Sequence, residues 1–363
     1  MENEQNLPFL EGTYLISANS ERGFMGYFDQ AFSPSQFDKL YIIHGGSGTG
    51  KSSAMKKICR SALENGAISQ EIRCSSDIDS LDGVILRQNG KTVGIVDGTA
   101  PHARIASFPG VCDEEWDFAH FLSEVELKKE KDRILSLCER KKGAYQRAYT
   151  LLGPAGSCHR EAERSRLSHF DKEKARASYR KILKHASRAS AKREKGLEIQ
   201  RLIRSFSMKG EGTLSSWAPK GVEIFYLRSD TYSAECYLCG FLEEARSLGL
   251  FRVSLVSPLC TDLLDGVYLP SLGLAVTKEP KGRETPSERC LYLSRFFDEK
   301  LEASDRSLIK IEEGLIKKAL SSLEDAARAH FELERIYSAA MDFQGLASSI
   351  QEKTEEVLRI LKD

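Results

Sequence analysis

The sequence predicts an α/β protein with a mostly parallel sheet that occurs twice in the chain, each copy being followed by a helical segment. Three observations support this fold class. Short, continuous apolar runs alternate with helical patterns in residues 1–120, which is typical of strands buried on both faces. From residue 121 the chain becomes rich in Lys, Arg, Glu, Ala and Leu at helical spacing. A similar succession then recurs in the second half.

The bulk composition limits the class of protein. The chain has 363 residues, of which 41% are hydrophobic and 29% charged, so it is long enough for two domains with their own cores. No apolar run approaches the roughly 18 residues of a membrane-spanning helix, so no membrane partner is expected. A polar N-terminus unlike a secretory signal and nine scattered cysteines are typical of a cytoplasmic protein with reduced thiols.

The first copy is predicted to contain five strands and one helix before residue 120. Each strand is a short apolar or β-branched run bounded by turn residues. The predicted strands cover residues 13–17, 40–43, 70–74, 83–86 and 92–96. The helix covers residues 52–63, directly after the second strand and a glycine-rich loop.

That loop carries the sequence Gly-Gly-Ser-Gly-Thr-Gly-Lys-Ser, which fits the phosphate-binding pattern G-x-x-x-x-G-K-[ST]. The glycines let backbone N–H groups converge on phosphates, Lys51 brings a charge to the β- and γ-phosphates, and the Ser52 hydroxyl is a Mg²⁺ ligand. A strand before the loop and a helix after it form the setting that the motif requires. The alternative is a glycine-rich turn without a ligand. The predicted binding residues are Gly45, Gly46, Ser47, Gly48, Thr49, Gly50, Lys51, Ser52 and Ser53.

Asp97 is predicted to be the second protein ligand of the Mg²⁺ ion, because it follows an apolar strand as the metal-binding acid of phosphate-loop enzymes does. The alternative is a turn-forming Asp before Gly98. We predict Lys51 and Asp97 as catalytic residues. No Glu follows Asp97, which argues against a fast ATP-driven motor.

Several other polar residues have a weaker claim to the site. His102 is a candidate contact for a phosphate or substrate, with a structural loop histidine as the favoured alternative. Asp82 is interpreted as a turn former because it recurs in the second half. Four arginines could approach a γ-phosphate, although surface salt bridges explain them as well. They are Arg104, Arg133, Arg140 and Arg147.

The second copy is recognised by an internal repeat. Leu81-Asp82-Gly83-Val84 recurs as Leu264-Asp265-Gly266-Val267, and the same shift sets Ala234 and Glu235 opposite Lys51 and Ser52. The segment from Arg228 to Glu235, with Ser233 opposite Gly50, therefore lacks the glycines and the lysine, and Glu235 would repel phosphate. Thr277 is predicted to stand where the first copy has Asp97.

These patterns divide the chain into four segments. Residues 1–120 are the nucleotide-binding core and 121–211 a basic helical segment, in which the Gly153-Pro154-Ala155-Gly156 run is predicted to separate two helices. Residues 212–286 are the degenerate core and 287–363 the C-terminal helical segment. Nucleic acid is not favoured as a partner of the basic segment, because no aromatic residues are interleaved with its charges.

The chain resembles the tandem phosphate-loop proteins of Gram-positive bacteria that are described as predicted ATPases. The phosphate loop, the Leu81–Val84 run, the segment from Asp97 to His102 and the late Ala340-Met341-Asp342-Phe343 carry the resemblance. It implies ATP binding at 45–52 with Asp97 at the metal. In that group the second copy also tends to carry a phosphate loop, which this chain lacks.

The expected function is Mg²⁺-dependent ATP binding by the first copy, with slow hydrolysis that couples the nucleotide state to a contact with an unknown small-molecule or protein partner. ATP is preferred to GTP only by default, because no Asn-Lys-x-Asp segment is present. One alternative is a small-molecule or nucleotide kinase, which needs no water-aligning Glu. Another is a non-catalytic scaffold in which the nucleotide stabilises the fold.

Overall fold

The computed structural model describes residues 8–187, 196–228, 234–280, 289–297 and 303–363. Within these residues the chain forms four layers, in which two six-stranded sheets pack face to face and helices cover the outer face of each. No helix of this described part is both long enough and apolar enough to cross a membrane. The architecture is therefore α/β, with helices after each sheet.

The first sheet is formed by the first third of the chain. In spatial order its strands are β1 (Gly12–Leu15), β5 (Ile68–Arg73), β6 (Leu81–Gln88), β7 (Lys91–Asp97), β4 (Lys39–His44) and β8 (Asp113–Asp117). Three neighbouring pairs, β1–β5, β7–β4 and β4–β8, are parallel, whereas β6 is antiparallel to both of its neighbours. A separate hairpin of β2 (Ser17–Ser20) and β3 (Gly23–Gly26) follows β1.

The second sheet has the same succession of strands. From one edge to the other they are β9 (Glu198–Arg201), β13 (Arg252–Val256), β14 (Leu264–Leu269), β15 (Leu274–Lys278), β12 (Glu223–Arg228) and β16 (Cys290–Tyr292). β14 is antiparallel to both neighbours and the other three pairs are parallel, as in the first sheet. Here too a hairpin, β10 (Arg204–Ser207) with β11 (Gly210–Thr213), follows the edge strand.

The helices complete the layers and join the two halves. They are α1 (Phe28–Ala31), α2 (Lys51–Glu64), α3 (Glu124–Lys129), α4 (Lys131–Leu167), α5 (Lys172–Ser187), α6 (Ala234–Ser247), α7 (Ala303–Ala339) and α8 (Phe343–Lys362). α2 and α8 cover the first sheet, and α5 and α6 cover the second. The long helices α4 and α7 form an antiparallel pair, since Arg133 contacts Glu332 at one end and His159 contacts Glu312 towards the other.

Strand β4 illustrates why the apolar runs of the sequence are continuous. Leu40 and Ile42 point to the second sheet, whereas Tyr41 and Ile43 point to α2 and α8. Successive side chains of a strand face opposite sides, so a strand between two packed layers needs apolar residues at every position. All four side chains are fully buried, and each Leu or Ile stabilises the fold by about 1.5–3 kcal/mol through this burial.

The structure confirms the predicted elements around the glycine-rich loop. The strand predicted at 40–43 is β4 and the helix predicted at 52–63 is α2. The strands predicted at 70–74, 83–86 and 92–96 are β5, β6 and β7. The strand predicted at 13–17 is divided into β1 and β2 at Ile16.

The prediction that Gly153-Pro154 separates two helices is wrong, because α4 continues through Pro154. A proline inside a helix costs about 3 kcal/mol, so tertiary contacts must offset it. Leu152 and Ala155 are fully buried in a cluster with residues of α7. A Cβ on Gly156 would lie 1.9 Å from Oε2 of Glu21, so this glycine allows close packing on the β2–β3 turn and does not end the helix.

The helical segment predicted to reach residue 211 is also too long. β9 and β10 occupy 198–201 and 204–207 and belong to the second half. The residues of β9 are Glu-Ile-Gln-Arg, and β9 is an edge strand of the sheet. Edge strands are often short and charged, so their sequences give little strand signal.

Candidate functional site

The glycine-rich loop connects β4, which lies inside the first sheet, to the start of α2. Gly48 and Gly50 have φ angles of +75° and +91°, a conformation that side chains other than glycine adopt only with strain. The Thr49 hydroxyl, which is fully buried, donates to the Gly46 carbonyl at 2.9 Å. The loop conformation thus depends on the glycines that the motif requires.

Lys51 is turned back over the loop. Its Nζ donates to the carbonyl oxygens of Gly45 at 2.9 Å and Gly46 at 2.8 Å, and lies 3.6 Å from Oδ2 of Asp97. Only 11% of the Lys51 side chain is exposed. This geometry holds a positive charge at the concave side of the loop.

Asp97 ends β7, the strand parallel to β4, and this places its carboxylate beside the loop. Its Oδ1 accepts a hydrogen bond from the Thr99 N–H at 2.8 Å, and the Thr99 hydroxyl donates to the Gly45 carbonyl at 3.0 Å. Oδ2 remains directed at Lys51. The structure therefore brings together Lys51, Ser52 and Asp97, which the sequence placed in one site.

Ser52 is fixed by a contact with the neighbouring strand. Its hydroxyl oxygen accepts a hydrogen bond from the Leu81 N–H at 3.0 Å. A hydroxyl oxygen has two lone pairs, so Ser52 retains one for a metal ion. No cluster of three or more His, Cys, Asp or Glu side chains suited to a metal occurs in the described ranges. A Mg²⁺ ion here would take its remaining ligands from phosphate oxygens and water, as this ion commonly does.

The loop opens into a cavity of about 950 Å³. Residues 47–53 line it, together with Asp97. Gly45 and Gly46, the other two predicted binding residues, contribute through the carbonyl groups that hold Lys51. A volume of this size is at the upper end of the range for small-molecule sites.

Asp82 and His102 also line this cavity, although the sequence favoured structural roles for both. Asp82 lies inside β6 and is 5% exposed, so its interpretation as a turn former is wrong. His102 lies with its Nε2 3.8 Å from Oδ2 of Asp82, and its ring stacks on Phe28 at 4.4 Å between centroids. A charged residue within the apolar run 81–86 was the available signal, because an ionised side chain is costly to bury without a function or a partner.

The environment of Asp82 changes its proton affinity. Burial raises the pKa of the Asp82 carboxyl to about 6, His102 opposes this effect, and the negative charge of Asp97 adds to it. The second imidazole nitrogen of His102 lies 2.9 Å from the Asp97 carbonyl oxygen. Asp82, His102 and Asp97 thus form a connected polar group next to Lys51.

The long helices supply the other wall of the cavity. From α4, the Tyr145 and Tyr149 hydroxyls donate to Ser76 and Asn19, each at 2.9 Å. From α7, the Ser338 hydroxyl donates to the carbonyl of Gly48 at 2.8 Å. The helical segments are therefore parts of the site, which periodicity alone did not indicate.

The four arginines considered for the γ-phosphate do not line the cavity. Arg104 pairs with Asp29 at 3.6 Å, and on α4 Arg133 pairs with Glu332 at 2.6 Å and Arg147 with Asp325 at 3.8 Å. Arg140 is exposed. The cations that α4 directs to the cavity are Lys141 and Lys142.

The second sheet has different charges at the corresponding positions. Gly83 pairs with Val96, and Gly266 with Thr277, so Thr277 does not match Asp97 as the sequence suggested. Lys278, which follows Thr277, has the position that corresponds to Asp97. Its Nζ lies 3.2 Å from Oδ1 of Asp265.

The start of α6 repeats one contact of the loop helix. Oε2 of Glu235 accepts a hydrogen bond from the Leu264 N–H at 2.6 Å, as Ser52 does from Leu81 in the first half. Arg228, before this helix, forms an ion pair with Glu279. Positions 229–233 of the predicted degenerate loop, which include Ser233, lie outside the described residues.

The arrangement in the first half has the parts that phosphate binding requires, namely a glycine loop at a helix start, a lysine within it, and a hydroxyl and a carboxylate nearby. Comparisons of the chain with protein-family models, with curated proteins and with solved structures gave no match.

Proposed function

We propose that the first half binds a nucleoside triphosphate with Mg²⁺ and hydrolyses it slowly. One observation carries the proposal: Lys51 lies over the loop within hydrogen-bonding distance of two loop carbonyls and 3.6 Å from Asp97. A lysine with this position can exchange the carbonyl contacts for phosphate oxygens. ATP is the proposed nucleotide by default, because the chain has no Asn-Lys-x-Asp segment for guanine.

The proposed roles follow from the chemistry of each group. Loop N–H groups from 47 to 52 would hold the phosphate chain, and Lys51 would neutralise the β- and γ-phosphates. Ser52 and Asp97 would hold the Mg²⁺ ion, which neutralises charge that develops on the transferred phosphoryl group. Asp97 is followed by Gly98, so the position that often carries a water-aligning Glu is unsuited to this task, and slow turnover is expected.

We also infer that the chain is internally duplicated and that its second half has lost nucleotide binding. Six strands with the same spatial order and the same directions in both sheets support the duplication. Glu235 and Lys278 at the places of Ser52 and Asp97 support the loss, because they reverse the charge pattern. Membership in the tandem phosphate-loop group is part of the same proposal, as is a cytoplasmic location, which nine free thiols favour.

A kinase is the second candidate, and Asp82 is the observation that favours it. A buried carboxylate with a pKa near 6 lines the same cavity as Lys51 and can accept a proton from an acceptor hydroxyl. A cavity of about 950 Å³ has room for an acceptor beside the phosphates. The non-catalytic scaffold is the third candidate, in which Mg²⁺ and ATP bind without turnover.

Titration calorimetry of Mg²⁺-ATP against wild type, Lys51→Ala and Lys57→Ala tests the proposal. Lys57 is an exposed lysine on the same helix and serves as the matched control. We expect Lys51→Ala to lower the affinity at least tenfold, because a charge-assisted hydrogen bond contributes about 1.5–3 kcal/mol, and Lys57→Ala to bind as wild type does. Failure of wild type to bind, or equal binding by Lys51→Ala, would refute the nucleotide site.

ADP release then separates the three candidates. Release without an acceptor, and unchanged by a panel of nucleosides and small metabolites, supports the ATPase. Release that rises with one acceptor class supports the kinase. Binding without release in any of these conditions supports the scaffold.

A further inference from the structure

Lys141 is a cation of the cavity that the phosphate-loop motif does not explain. It lies on α4, about 90 residues after the loop in the chain, and lines the cavity together with Lys51. No carboxylate among the described residues lies within ion-pair distance of Lys141, although Glu334 lines the same cavity. The lysine thus faces the cavity without forming an ion pair.

Three other basic groups around the cavity have partners, and Lys142, the second lysine of α4 at the cavity, is exposed to solvent. Lys51 contacts the loop carbonyls and Asp97, and Lys56 donates to the Asp79 carbonyl at 2.6 Å. His330 lies 3.4 Å from Oε1 of Glu334. An unpaired cation next to these groups is unfavourable unless an anion occupies the cavity.

Burial lowers the pKa of the Lys141 ammonium group. Cys138 and Glu334 oppose this effect, whereas the positive charge of Lys51 adds to it. Both lysines line the same cavity, Lys51 from the loop and Lys141 from α4. An anion in that space would contact both.

We propose that Lys141 binds the terminal phosphate of a nucleoside triphosphate and makes the site selective for triphosphates over diphosphates. The inference rests on the proposed function, because it requires a phosphate chain on the loop. The loop and Lys51 hold the phosphates from the side of the sheet. Lys141 approaches from α4, so it meets the phosphate that extends furthest from the loop, and a diphosphate lacks that group.

The position of α4 links this contact to the rest of the molecule. α4 packs along α7, and the last turn of α7 is bonded to the loop through Ser338 and Gly48. Binding of a terminal phosphate would therefore attach α4 to the same loop that α7 already contacts. Loss of that phosphate on hydrolysis would remove the contact of α4 with the loop and leave the contact of α7 in place.

The test compares Lys141→Met with Arg140→Met in the full chain. Arg140 is the adjacent cation on α4, is exposed and does not line the cavity. Affinities are measured by calorimetry for the β,γ-imido analogue of ATP and for ADP, both with Mg²⁺. A charge-assisted contact predicts that Lys141→Met weakens analogue binding tenfold or more and changes ADP binding less than twofold.

Arg140→Met is expected to leave both affinities within twofold of wild type, and Lys141→Arg to restore part of the analogue affinity. A structural role of Lys141 would lower both affinities together or neither, and either result overturns the proposal. Should Lys141→Met not fold, Lys141→Gln, which keeps most of the chain length, gives the same comparison. If wild type binds neither nucleotide, the proposed function fails. If Lys51→Ala lowers the affinity for the ATP analogue as expected but Lys141→Met leaves it unchanged, only this inference is refuted.

Discussion

Asp82→Asn should stabilise the protein at neutral and alkaline pH. Asp82 is buried in β6, and the difference between the ordinary aspartate pKa of 3.8 and its pKa of about 6 corresponds to about 3 kcal/mol. Folding raises this pKa, so the stability contributed by the protonated carboxyl is full below about pH 4 and is lost as the pH rises through about 6. An amide stays neutral throughout and avoids that loss.

Asp82→Asn should raise the free energy of unfolding by about 1–3 kcal/mol at pH 8 and change it little at pH 4. The gain at pH 8 can be smaller than about 3 kcal/mol because the substitution also removes the attraction between Asp82 and His102 at 3.8 Å. The assay is urea unfolding of the full chain from pH 4 to pH 8, compared at the transition midpoint. Asp265→Asn is the matched control, because Asp265 has the corresponding place in the second sheet. Burial would raise the pKa of Asp265, but Arg204 at 3.0 Å and Lys278 lower it.

Asp265→Asn should therefore destabilise the protein at pH 8, with an effect that shrinks only as the pH falls below about 4. If the two substitutions change the free energy of unfolding in opposite directions, a general preference of this fold for amides cannot be the cause. If Asp82→Asn lowers the unfolding midpoint at pH 8, or raises it equally at every pH, the carboxylate is stabilised by its surroundings and the argument is wrong.

The packing of α7 on the loop and the charge of Lys141 give two more predictions. A Cβ on Gly48 would lie 2.5 Å from the Glu334 carbonyl oxygen, whereas Gly90 has a similar φ of +85° and open space around it. Gly48→Ala should thus destabilise the protein by about 1–3 kcal/mol more than Gly90→Ala in urea unfolding, and equal effects would mean that α7 does not pack tightly on the loop. Because the pKa of Lys141 is lowered, affinity for the ATP analogue should begin to decline at a lower pH than an ordinary lysine would give, and Lys141→Arg should remove that decline. A parallel decline in both proteins would contradict the assignment.

The loop and its immediate neighbours could be predicted from sequence because their information is local. Fixed spacing within 45–52, a continuous apolar run before it and helical periodicity after it identified β4 and α2. Asp97 was found by the same logic, since the end of a parallel strand next to β4 must lie at the loop. The alternation of buried strands and helices also indicated the α/β class.

The wall formed by the long helices could not be predicted in this way. The position of Lys141 depends on how α4 packs against α7, and therefore on contacts between residues more than 150 positions apart. Pro154 gave a misleading local signal, because the packing of its neighbours outweighs the helix-breaking tendency. The match between the two strands likewise indicated Thr277 and missed Lys278, since a difference of one residue is visible only in the hydrogen-bonding register.

The two halves differ in what their charges allow. In the first, Asp97 and Ser52 leave oxygen atoms towards a cavity with unpaired Lys141, an arrangement that suits a metal and an anion together. In the second, Lys278 has the position of Asp97, repels a cation and forms an ion pair with Asp265. Replacing only Lys278 or only Glu235 would leave the other charge of the second half opposed to nucleotide binding.

The second half instead packs against the long helices, because Phe206, Leu259 and Cys260 share a buried cluster with residues of α4 and α7. Towards their far ends the two helices are also joined to each other: His159 of α4 lies 3.3 Å from Glu312 of α7, and the Ser165 hydroxyl donates to Asp305 at 3.3 Å. The opposite ends of the same helices carry Lys141 and Ser338 at the loop. The two helices are joined at this end as well, by Arg133 with Glu332 at 2.6 Å. The proposed contact with a terminal phosphate would therefore act on a helix pair that is joined near both ends, and the far end packs on the half whose charges oppose nucleotide binding.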